Sequence, residues 1–358
     1  MKKTRRKDIA TLIKPQVRRL AAYHIDETPC RIKLDAMENP FSLPTVVQRE
    51  LAKAVNSASI NRYPDPSAKK LTQAIAGFWG MKPASMILGN GSDELIQTIL
   101  LAFGGPTLIP VPTFAMYDIT SRALSQAVVT VPLDKNFDLD ADLLLKKAKA
   151  SKAKVIFLAC PNNPTGNRFS DKTVRKILDR ADAAVVLDEA YFSFSGKSYL
   201  SLLQNYPNLI VLRTLSKIGL AGLRIGVLAA APAVIAELNK IRLPYNINSL
   251  SQVAAVAVLK HRAIIERQIS LLISERENLY NALAQMKGVT AYPSETNFIL
   301  FRTATDATAV YGKLKKAGIL IKNLNKPGPL KNCLRVTIGT KEENKEFLKT
   351  LRNILDTD

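Results

Sequence analysis

The sequence predicts an α/β fold with two parts: a large domain built on a mostly parallel, doubly wound sheet, and a smaller α+β domain. Two observations predict it. Short, branched apolar runs alternate with longer amphipathic runs along most of the chain. Polar and glycine-containing motifs follow these apolar runs, where strands would end. With 358 residues and 47% hydrophobic side chains, the chain is long enough for one large and one smaller domain.

Composition excludes several classes of protein. No apolar run approaches the ~20 residues that cross a bilayer, so no membrane helix is expected. The three cysteines are far apart and the histidines number two, so we expect no metal site and free thiols in a reducing cytoplasm. The net charge of +21 permits attraction to anionic ligands. The basic run at residues 2–7 is interpreted as a frayed terminus, with a nucleic-acid arm as the weaker alternative.

The N-terminal part is basic and mixed, and we assign residues 1–35 to an arm that joins the smaller domain. Residues 18–23 are interpreted as a short helix or as part of this arm. A helix is expected from about residue 45 to 55. Residues 61–66 (Asn-Arg-Tyr-Pro-Asp-Pro) are rigid because each proline restricts the residue before it, so Tyr63 is held in an extended pose. A structural turn with a packed ring explains Tyr63 equally well.

A glycine-containing loop at residues 89–94 (Gly-Asn-Gly-Ser-Asp-Glu) separates an apolar run from an amphipathic one. We expect a strand or turn, then the loop, then a helix whose first turn carries Ser92 and Asp93. The N-terminus of a helix has free amide groups and a partial positive charge, so it can bind phosphate. A plain helix cap made by the serine or the aspartate is the alternative.

Strand-like and helix-like runs then alternate, as is typical of a doubly wound sheet. Ligands of such sheets bind beyond the carboxyl ends of the strands. The predicted strands cover residues 107–109, 127–131, 154–159, 184–187, 209–212 and 225–230. The predicted helices lie near residues 116–125, 140–149 and 171–180.

Polar or aromatic motifs follow three of these strands. Phe114 could stack on a flat cofactor ring or simply pack in the core. Asn163 lies in a tight turn, where it has a structural role or donates a hydrogen bond to a ligand oxygen. Asp188 ends a buried strand and needs a partner, such as a protonated ring nitrogen, unless it caps the next helix. The hydroxyl of Tyr191 could then bond a phenolic oxygen of the same ring.

The stretch at 213–224 places Lys217 between two predicted buried strands, whereas most lysines lie on solvated faces. An ordinary surface loop is the alternative. Ser216 and Arg224, with two glycines between them, would form an anion site from a hydroxyl, a guanidinium and closely approaching backbone. An amine beside a phosphate site is what pyridoxal 5′-phosphate requires, because the amine forms a Schiff base with it.

The amphipathic stretch from 249 to about 286 is interpreted as one long helix or two abutting helices. It begins the small domain, placed at 249–358, after a large domain at 36–248. Arg335 lies within an otherwise apolar strand, where it would bind a carboxylate or phosphate or form a salt bridge with a neighbouring strand. The other small-domain predictions are strands at 288–292, 297–302, 319–322 and 334–338, and helices near 306–317 and 341–354.

Taken together, these motifs resemble the fold-type I pyridoxal-phosphate aminotransferases, and most closely the histidinol-phosphate aminotransferase family. The resemblance covers about residues 23–340. Its motifs occur in the order found in the family: Glu-Asn-Pro at 38–40, Arg-Tyr-Pro-Asp at 62–65, Gly-Ser-Asp-Glu at 91–94, Pro-Asn-Asn-Pro-Thr-Gly at 161–166, Asp-Glu-Ala-Tyr at 188–191, Leu-Ser-Lys at 215–217, Ala-Gly-Leu-Arg-Ile-Gly at 221–226, Glu-Thr-Asn-Phe at 295–298 and Leu-Arg-Val-Thr-Ile-Gly-Thr at 334–340.

The resemblance implies pyridoxal 5′-phosphate as the cofactor. It implies that Lys217 forms the Schiff base and moves the proton between substrate and cofactor carbons. Asp188 would pair with the pyridine nitrogen, and Asn163 and Tyr191 would bond the phenolic oxygen. The implied catalytic residues are Lys217, Asp188 and Tyr191. The implied further cofactor contacts are Phe114 on the ring, Asp93, and the phosphate-binding residues Gly91, Ser92, Ser216 and Arg224.

The resemblance also implies substrates and a partner. Arg335 would bind the carboxylate of glutamate and 2-oxoglutarate, or the phosphate of histidinol phosphate. Tyr63 would reach the cofactor phosphate of the neighbouring subunit, so a homodimer is expected. The other implied substrate-binding residues are Tyr23, Asn163, Asn297 and Lys322. The implied function is a cytoplasmic transaminase of histidine biosynthesis that exchanges the amino group between L-histidinol phosphate and 2-oxoglutarate.

Three features depart from the family's pattern. Met37 stands where Asn usually precedes Glu-Asn-Pro, so a polar contact near the pocket is lost. The spacing from Lys217 to Arg224 is one residue shorter than in many members, which indicates a tighter loop. Lys322 replaces a second phosphate-binding arginine, keeping the charge but losing the bidentate fork.

Two alternative functions remain open from the sequence. An aromatic aminotransferase or an O-phospho-amino-acid decarboxylase on the same fold would have the same cofactor site. A catalytically idle, basic nucleic-acid-binding protein would need a contiguous basic face. The combination of Lys217, Asp188 and Arg224 argues against the idle protein, because such a protein does not need all three.

Overall fold

The computed structural model describes residues 8–22 and 26–356, and in these ranges the apolar runs form thirteen strands. In chain order the strands are β1 (Ile32–Lys33), β2 (Met86–Asn90), β3 (Thr107–Val111), β4 (Val128–Pro132), β5 (Val155–Ala159), β6 (Ala184–Asp188), β7 (Leu209–Thr214), β8 (Ile225–Ala230), β9 (Val289–Ala291), β10 (Phe298–Thr303), β11 (Ile319–Leu320), β12 (Lys322–Asn323) and β13 (Cys333–Thr337).

The amphipathic runs form thirteen α-helices in the same ranges, and short 3₁₀ turns join several elements. None of these helices is both long and apolar enough to span a membrane. In chain order the helices are α1 (Pro15–Arg18), α2 (Thr45–Asn56), α3 (Lys69–Trp79), α4 (Ser92–Phe103), α5 (Met116–Ala123), α6 (Ala141–Ser151), α7 (Asp171–Arg180), α8 (Phe192–Ser195), α9 (Pro232–Asn239), α10 (Ser249–Leu259), α11 (Arg262–Ala284), α12 (Ala307–Lys316) and α13 (Lys341–Asp356).

Seven strands form the large sheet, in the order β2-β8-β7-β6-β5-β3-β4. Neighbouring strands from β7 to β4 are parallel, while β8 runs antiparallel to both β7 and β2. The prediction of a mostly parallel α/β sheet is therefore confirmed. The parallel strands all end at one edge, which gathers the motifs that follow them.

Helices cover both faces of the large sheet because side chains alternate along buried strands. On one face, Ile156, Val185 and Val211 pack with residues of α6 and α7. On the other face, Phe157 and Ile210 pack with residues of α4 and α9. Burial on both faces explains why these strands are continuous apolar runs without a polar alternation.

The C-terminal part contains an antiparallel sheet in the order β12-β13-β10-β9. β1 pairs in parallel with β11, so the N-terminal segment is tied to this part of the chain. Asp26 adds to this connection by accepting hydrogen bonds from Tyr311 and Lys315 of α12. The division into an arm and two domains, with its boundaries, stays a prediction.

Several element predictions need correction. The N-terminal helix covers Pro15–Arg18, and residues 19–22 are not helical. For the stretch from 249 to about 286, the interpretation as two abutting helices is confirmed and that as one long helix is wrong, because α10 and α11 are separated at residues 260–261. The predicted strand at 319–322 is two short strands that pair with different partners. Three helices, α3, α8 and α9, were not assigned from the sequence, although Leu71, Ile75 and Phe78 have the helical spacing that indicates α3.

Candidate active site

A cavity of about 230 Å³ lies at the carboxyl ends of the parallel strands. It is where the polar motifs of the sequence converge, as expected for a parallel sheet. Nine residues singled out from the sequence line it together: Ser92, Asp93, Phe114, Asn163, Asp188, Tyr191, Ser216, Lys217 and Arg224.

Lys217 lies in a 3₁₀ turn between β7 and β8, with its amine near the ring of Tyr191. Within residues 8–22 and 26–356, its Nζ makes no hydrogen bond or salt bridge. Burial lowers the pKa of Lys217 to about 8, and the positive charges of Arg335 and Arg224 add to the effect. Glu38 and Asp188 oppose it. The amine is therefore neutral at a lower pH than an ordinary lysine, which suits a nucleophile or a proton acceptor.

Asp188 is the last residue of β6 and is 5% exposed. Burial raises the pKa of its carboxyl to about 6, and two hydrogen bonds counteract the rise. Tyr117 Oη donates to Oδ2 at 2.6 Å, and the backbone N–H of Ala190 donates to Oδ1 at 3.0 Å. A carboxylate held in this way can pair with a cationic group of a ligand.

The N-terminus of α4 and Arg224 form the anion-binding part of the cavity. Gly91 is the N-cap of α4 with φ +81°, and no side chain caps the helix, which is contrary to a serine or aspartate cap. The Arg224 guanidinium lies so close to Gly91 that a Cβ there would be 2.6 Å from Nη2. Arg224 also contacts Asp93 at 3.2 Å. Free helix amides beside a guanidinium match the charge of a phosphate.

Two 3₁₀ turns, Ser216–Ile218 and Ala221–Leu223, connect Lys217 to Arg224. Gly219 and Arg224 both have a positive φ within this loop. The short spacing noted in the sequence therefore still brings both ends of the loop to one cavity.

Asn163 links the floor of the cavity to the smaller sheet. Its Nδ2 donates to Tyr191 Oη at 3.3 Å, and its Oδ1 accepts a hydrogen bond from Arg335. Arg335, on β13, also donates to the backbone oxygen of Asp35 at 3.0 Å. Phe114 lies at the cavity wall, edge-on to the ring of Tyr117. The amide of Asn163, the phenol of Tyr191 and the guanidinium of Arg335 therefore meet in one region, although they come from different parts of the chain.

A second cavity, of about 480 Å³, adjoins the first and shares Met37, Phe114 and Asn163 with it. Lys322 and Arg335 both line it, and they are direct cross-strand neighbours on β12 and β13. Like charges opposite each other on paired strands repel. An anion bound between them would relieve that repulsion.

Met37 lies between the two cavities in a left-handed conformation, with φ +55°. Its backbone N–H donates to Thr337 Oγ1, and its carbonyl accepts from Asn297 Nδ2 at 3.0 Å. Asn297 is fully buried and shapes the cavities through Met37. Asparagine tolerates this backbone region better than methionine.

Among the described residues, the predicted site residue Tyr63 is not brought to the cavity in this chain. Tyr63 is 81% exposed and stacks on Tyr245 at 4.6 Å, away from the cavity residues. Tyr23 lies outside the described residues.

Sequence reasoning missed Tyr117 and the buried pair Arg213–Glu189. Tyr117 is fully buried and donates a hydrogen bond to the Asp188 carboxylate at 2.6 Å, and the sequence around Phe114 gave no sign of this role. Glu189 directly follows Asp188 and accepts two hydrogen bonds from Arg213. Two opposite charges in apolar surroundings were a signal of a buried pair.

Comparison with known proteins places these features in context. A family model described as "Aminotransferase class I and II" matches residues 31–351. A Nitrosococcus oceani protein named "Histidinol-phosphate aminotransferase 2" is 44% identical over 350 residues, covering 96% of this chain and 97% of its own. Histidinol-phosphate aminotransferase from Sinorhizobium meliloti, solved in complex with pyridoxal-5′-phosphate, has a TM-score of 0.86 and 25% identity, covering 96% of this chain and 97% of its own. L-threonine-O-3-phosphate decarboxylase from Porphyromonas gingivalis has a TM-score of 0.79 and 26% identity, covering 91% of this chain and 99% of its own.

Replacement of Lys217 by methionine should stabilise the cofactor-free protein at pH 7. Burial holds the pKa of Lys217 below the ordinary 10.5, so charging the amine opposes folding below pH 8. This penalty, on the order of 2–3 kcal/mol, fades as the pH rises from 8 to 10.5, where only the unfolded chain keeps the proton. Urea unfolding of both proteins at pH 7 and pH 10 measures the difference. The exposed Lys172→Met is the control, and an equal gain at both pH values would contradict the prediction.

Replacement of Gly226 by alanine should destabilise the protein by roughly 1–3 kcal/mol. A Cβ at position 226 would be 2.5 Å from backbone atoms of Gly91 and Ser92, so β8 and the start of α4 would have to separate. Gly222→Ala is the matched control, because a Cβ there meets no atom within 4 Å. Thermal unfolding of the two variants checks the prediction, which fails if both have the same melting temperature.

Proposed function

The chain belongs to the class I and II aminotransferases, and from that premise we propose that it exchanges the amino group between L-histidinol phosphate and 2-oxoglutarate. The proposal places the enzyme in histidine biosynthesis and in the cytoplasm. One observation carries it: a lysine with a lowered pKa, a buried aspartate and the N-terminus of a helix that can bind an anion all line one cavity. The 44% identity to a relative named histidinol-phosphate aminotransferase supports the choice of substrate.

The cavity residues fit pyridoxal 5′-phosphate, the cofactor of this aminotransferase family. When bound, this cofactor supplies an electron-withdrawing ring that weakens the bonds at the substrate α-carbon. Asp188 would hold the pyridine nitrogen, and Asn163 and Tyr191 the phenolic oxygen. Phe114 would cover the ring. The phosphate would be held by Gly91, Ser92, Ser216 and Arg224, and Asp93 would orient Arg224.

Lys217 is the proton carrier of the proposed reaction. Its Nζ takes up the proton released at the substrate α-carbon, a role that needs a neutral amine. The lowered pKa makes a larger fraction of the amine neutral near physiological pH than in an ordinary lysine, which is almost fully charged there.

The second cavity is the proposed substrate pocket. Arg335 would bind the carboxylate of glutamate and 2-oxoglutarate, or the phosphate of histidinol phosphate, with Lys322 as a second cation. Met37, Ile109 and Val111 give it an apolar wall that suits a flat ring. Tyr23 and Asn297 complete the proposed substrate-binding set.

The proposed active unit is a homodimer in which Tyr63 reaches the cofactor phosphate of the other subunit. Tyr63 belongs to a group of exposed apolar side chains that water solvates poorly: Ile60, Tyr63, Ile241, Leu243 and Tyr245. Such a group is typical of a surface that another protein covers.

An aromatic aminotransferase or an O-phospho-amino-acid decarboxylase is the second candidate. The decarboxylase has a relative among the similar structures, and its substrate also carries a phosphate. The cofactor cavity is the same for all these activities, so the amino donor that reacts distinguishes between them.

L-Histidinol phosphate should shift the absorbance band of the cofactor-loaded protein, and tyrosine and O-phosphothreonine should leave it in place. Lys217→Ala should bind the cofactor without forming the covalent band. Absorbance titration with each donor makes the measurement, and release of carbon dioxide is followed in parallel. A shift with tyrosine alone, or carbon dioxide from O-phosphothreonine, would favour the second candidate. Failure of the wild-type protein to bind pyridoxal 5′-phosphate would contradict the proposal as a whole.

Mixing an inactive variant with an impaired one should raise the activity above that of either alone if Tyr63 acts across a dimer. Lys217→Ala removes the amine, and Tyr63→Ala removes a hydrogen bond to a charged group worth roughly 1.5–3 kcal/mol. In a mixed dimer, the Tyr63→Ala subunit keeps Lys217 and receives Tyr63 from the other chain, so one site is complete. After unfolding and refolding the variants together, about a quarter of all sites should be active by random pairing. No recovery would place Tyr63 outside the partner's site.

A further inference from the structure

Tyr117 is the second residue of α5 and has no exposed surface. Its ring stacks on Phe157, with centroids 4.6 Å apart and planes at 10°, and Phe114 packs edge-on at 5.5 Å. A phenylalanine would satisfy these apolar contacts equally well. The hydroxyl is therefore the part of the side chain that packing leaves unexplained, and its hydrogen bond goes to Asp188 Oδ2 at 2.6 Å.

The groups around Asp188 have opposite effects on the ionisation of its carboxyl. Besides the Tyr117 hydroxyl and the Ala190 amide, its charged surroundings are Lys217, which favours the ionised carboxylate, and Asp93, which disfavours it. Tyr191 also lies in the cavity wall. Burial is the largest influence and favours the protonated form, so the balance depends on the two hydrogen bonds.

Tyr117 can donate under all ordinary conditions. Burial and the neighbouring Asp188 raise the pKa of its hydroxyl well above the usual 10. The hydroxyl thus keeps its hydrogen wherever the protein is folded. Because Oδ1 is held by Ala190 and Oδ2 by Tyr117, the carboxylate has one fixed rotation.

We propose that Tyr117 is a positioning residue of the cofactor site, whose hydroxyl keeps Asp188 ionised and sets the orientation of its carboxylate. The proposal rests on the proposed function, because Asp188 must be charged to pair with a protonated ring nitrogen. Tyr117 lines the cofactor cavity but is not among the residues assigned above to the ring, the phosphate or the substrate. The proposed route of its effect on the cofactor is its hydrogen bond to Asp188.

The test is the affinity of cofactor-free Tyr117→Phe for pyridoxal 5′-phosphate, measured by absorbance titration of the full-length protein between pH 6 and 9. At pH 7 the dissociation constant should rise about tenfold to a hundredfold over wild type, the effect of losing a hydrogen bond to a charged group. The ratio of the two constants should shrink towards pH 9, where Asp188 ionises without the hydroxyl. A merely structural loss would change affinity equally at every pH.

Tyr199→Phe is the matched control, since Tyr199 is also buried and donates its hydroxyl hydrogen bond to a carboxylate, Asp171, at 2.8 Å. It does not line the cavity, so its affinity and pH profile should equal those of wild type. Asp188→Asn supplies the second measurement. If Tyr117 acts through Asp188, adding Tyr117→Phe to Asp188→Asn should change the affinity by less than twofold.

The outcomes separate the two hypotheses. Wild-type protein that binds no pyridoxal 5′-phosphate would overturn the proposed function, and this proposal with it. Wild-type binding together with an unchanged Tyr117→Phe, or with a loss that is constant across pH, would overturn the role of Tyr117 alone. A full Tyr117→Phe effect on top of Asp188→Asn would do the same.

Discussion

The buried ion pair between Arg213 and Glu189 joins the two strand ends that carry Lys217 and Asp188. Arg213 is on β7, four residues before Lys217, and Glu189 directly follows Asp188 at the end of β6. The guanidinium donates two hydrogen bonds to Glu189 Oε2, at 2.9 and 3.0 Å, and lies 3.7 Å from the ring centroid of Phe192. Loss of one partner of such a pair leaves a buried charge and costs about 3–5 kcal/mol. The strand ends that carry the lysine and the aspartate are thus fixed to each other.

The cavity next to this pair contains two ionisable groups, Lys217 and Asp188, whose pKa values are shifted mainly by burial. Burial moves the pKa of Lys217 down and that of Asp188 up, so each group is shifted towards its neutral form. A ligand with a phosphate, a basic ring nitrogen and a carbonyl carbon offers each group a matching partner. The same burial that opposes charging therefore strengthens each pairing once the ligand is bound. The close approach of Gly226 on β8 to Gly91 and Ser92 places the start of α4 directly against β8.

Much of the fold and site could be predicted from local patterns. Apolar runs marked the strands of the large sheet, and the residues just after them, among them Phe114, Asn163 and Asp188, do line the cavity. Predictions failed where the local pattern was ambiguous. The splitting of 319–322 into two strands depends on partners far along the chain. Tyr117 was missed because a buried tyrosine in a helix has the same sequence pattern whether its hydroxyl is structural or functional.

By itself the sequence determined the alternation of strands and helices and the residues that stand at strand ends. Periodicity, glycine and proline act over a few residues, so neighbours in sequence reveal them. Only the tertiary structure decided the strand order, the antiparallel direction of β8 and the pairs that these bring together. Tyr117 meets Asp188 across 71 residues, and Arg224 meets Asp93 across 131. Such contacts depend on how the strands pack side by side, because burial selects a partner by position in space and not by distance along the chain.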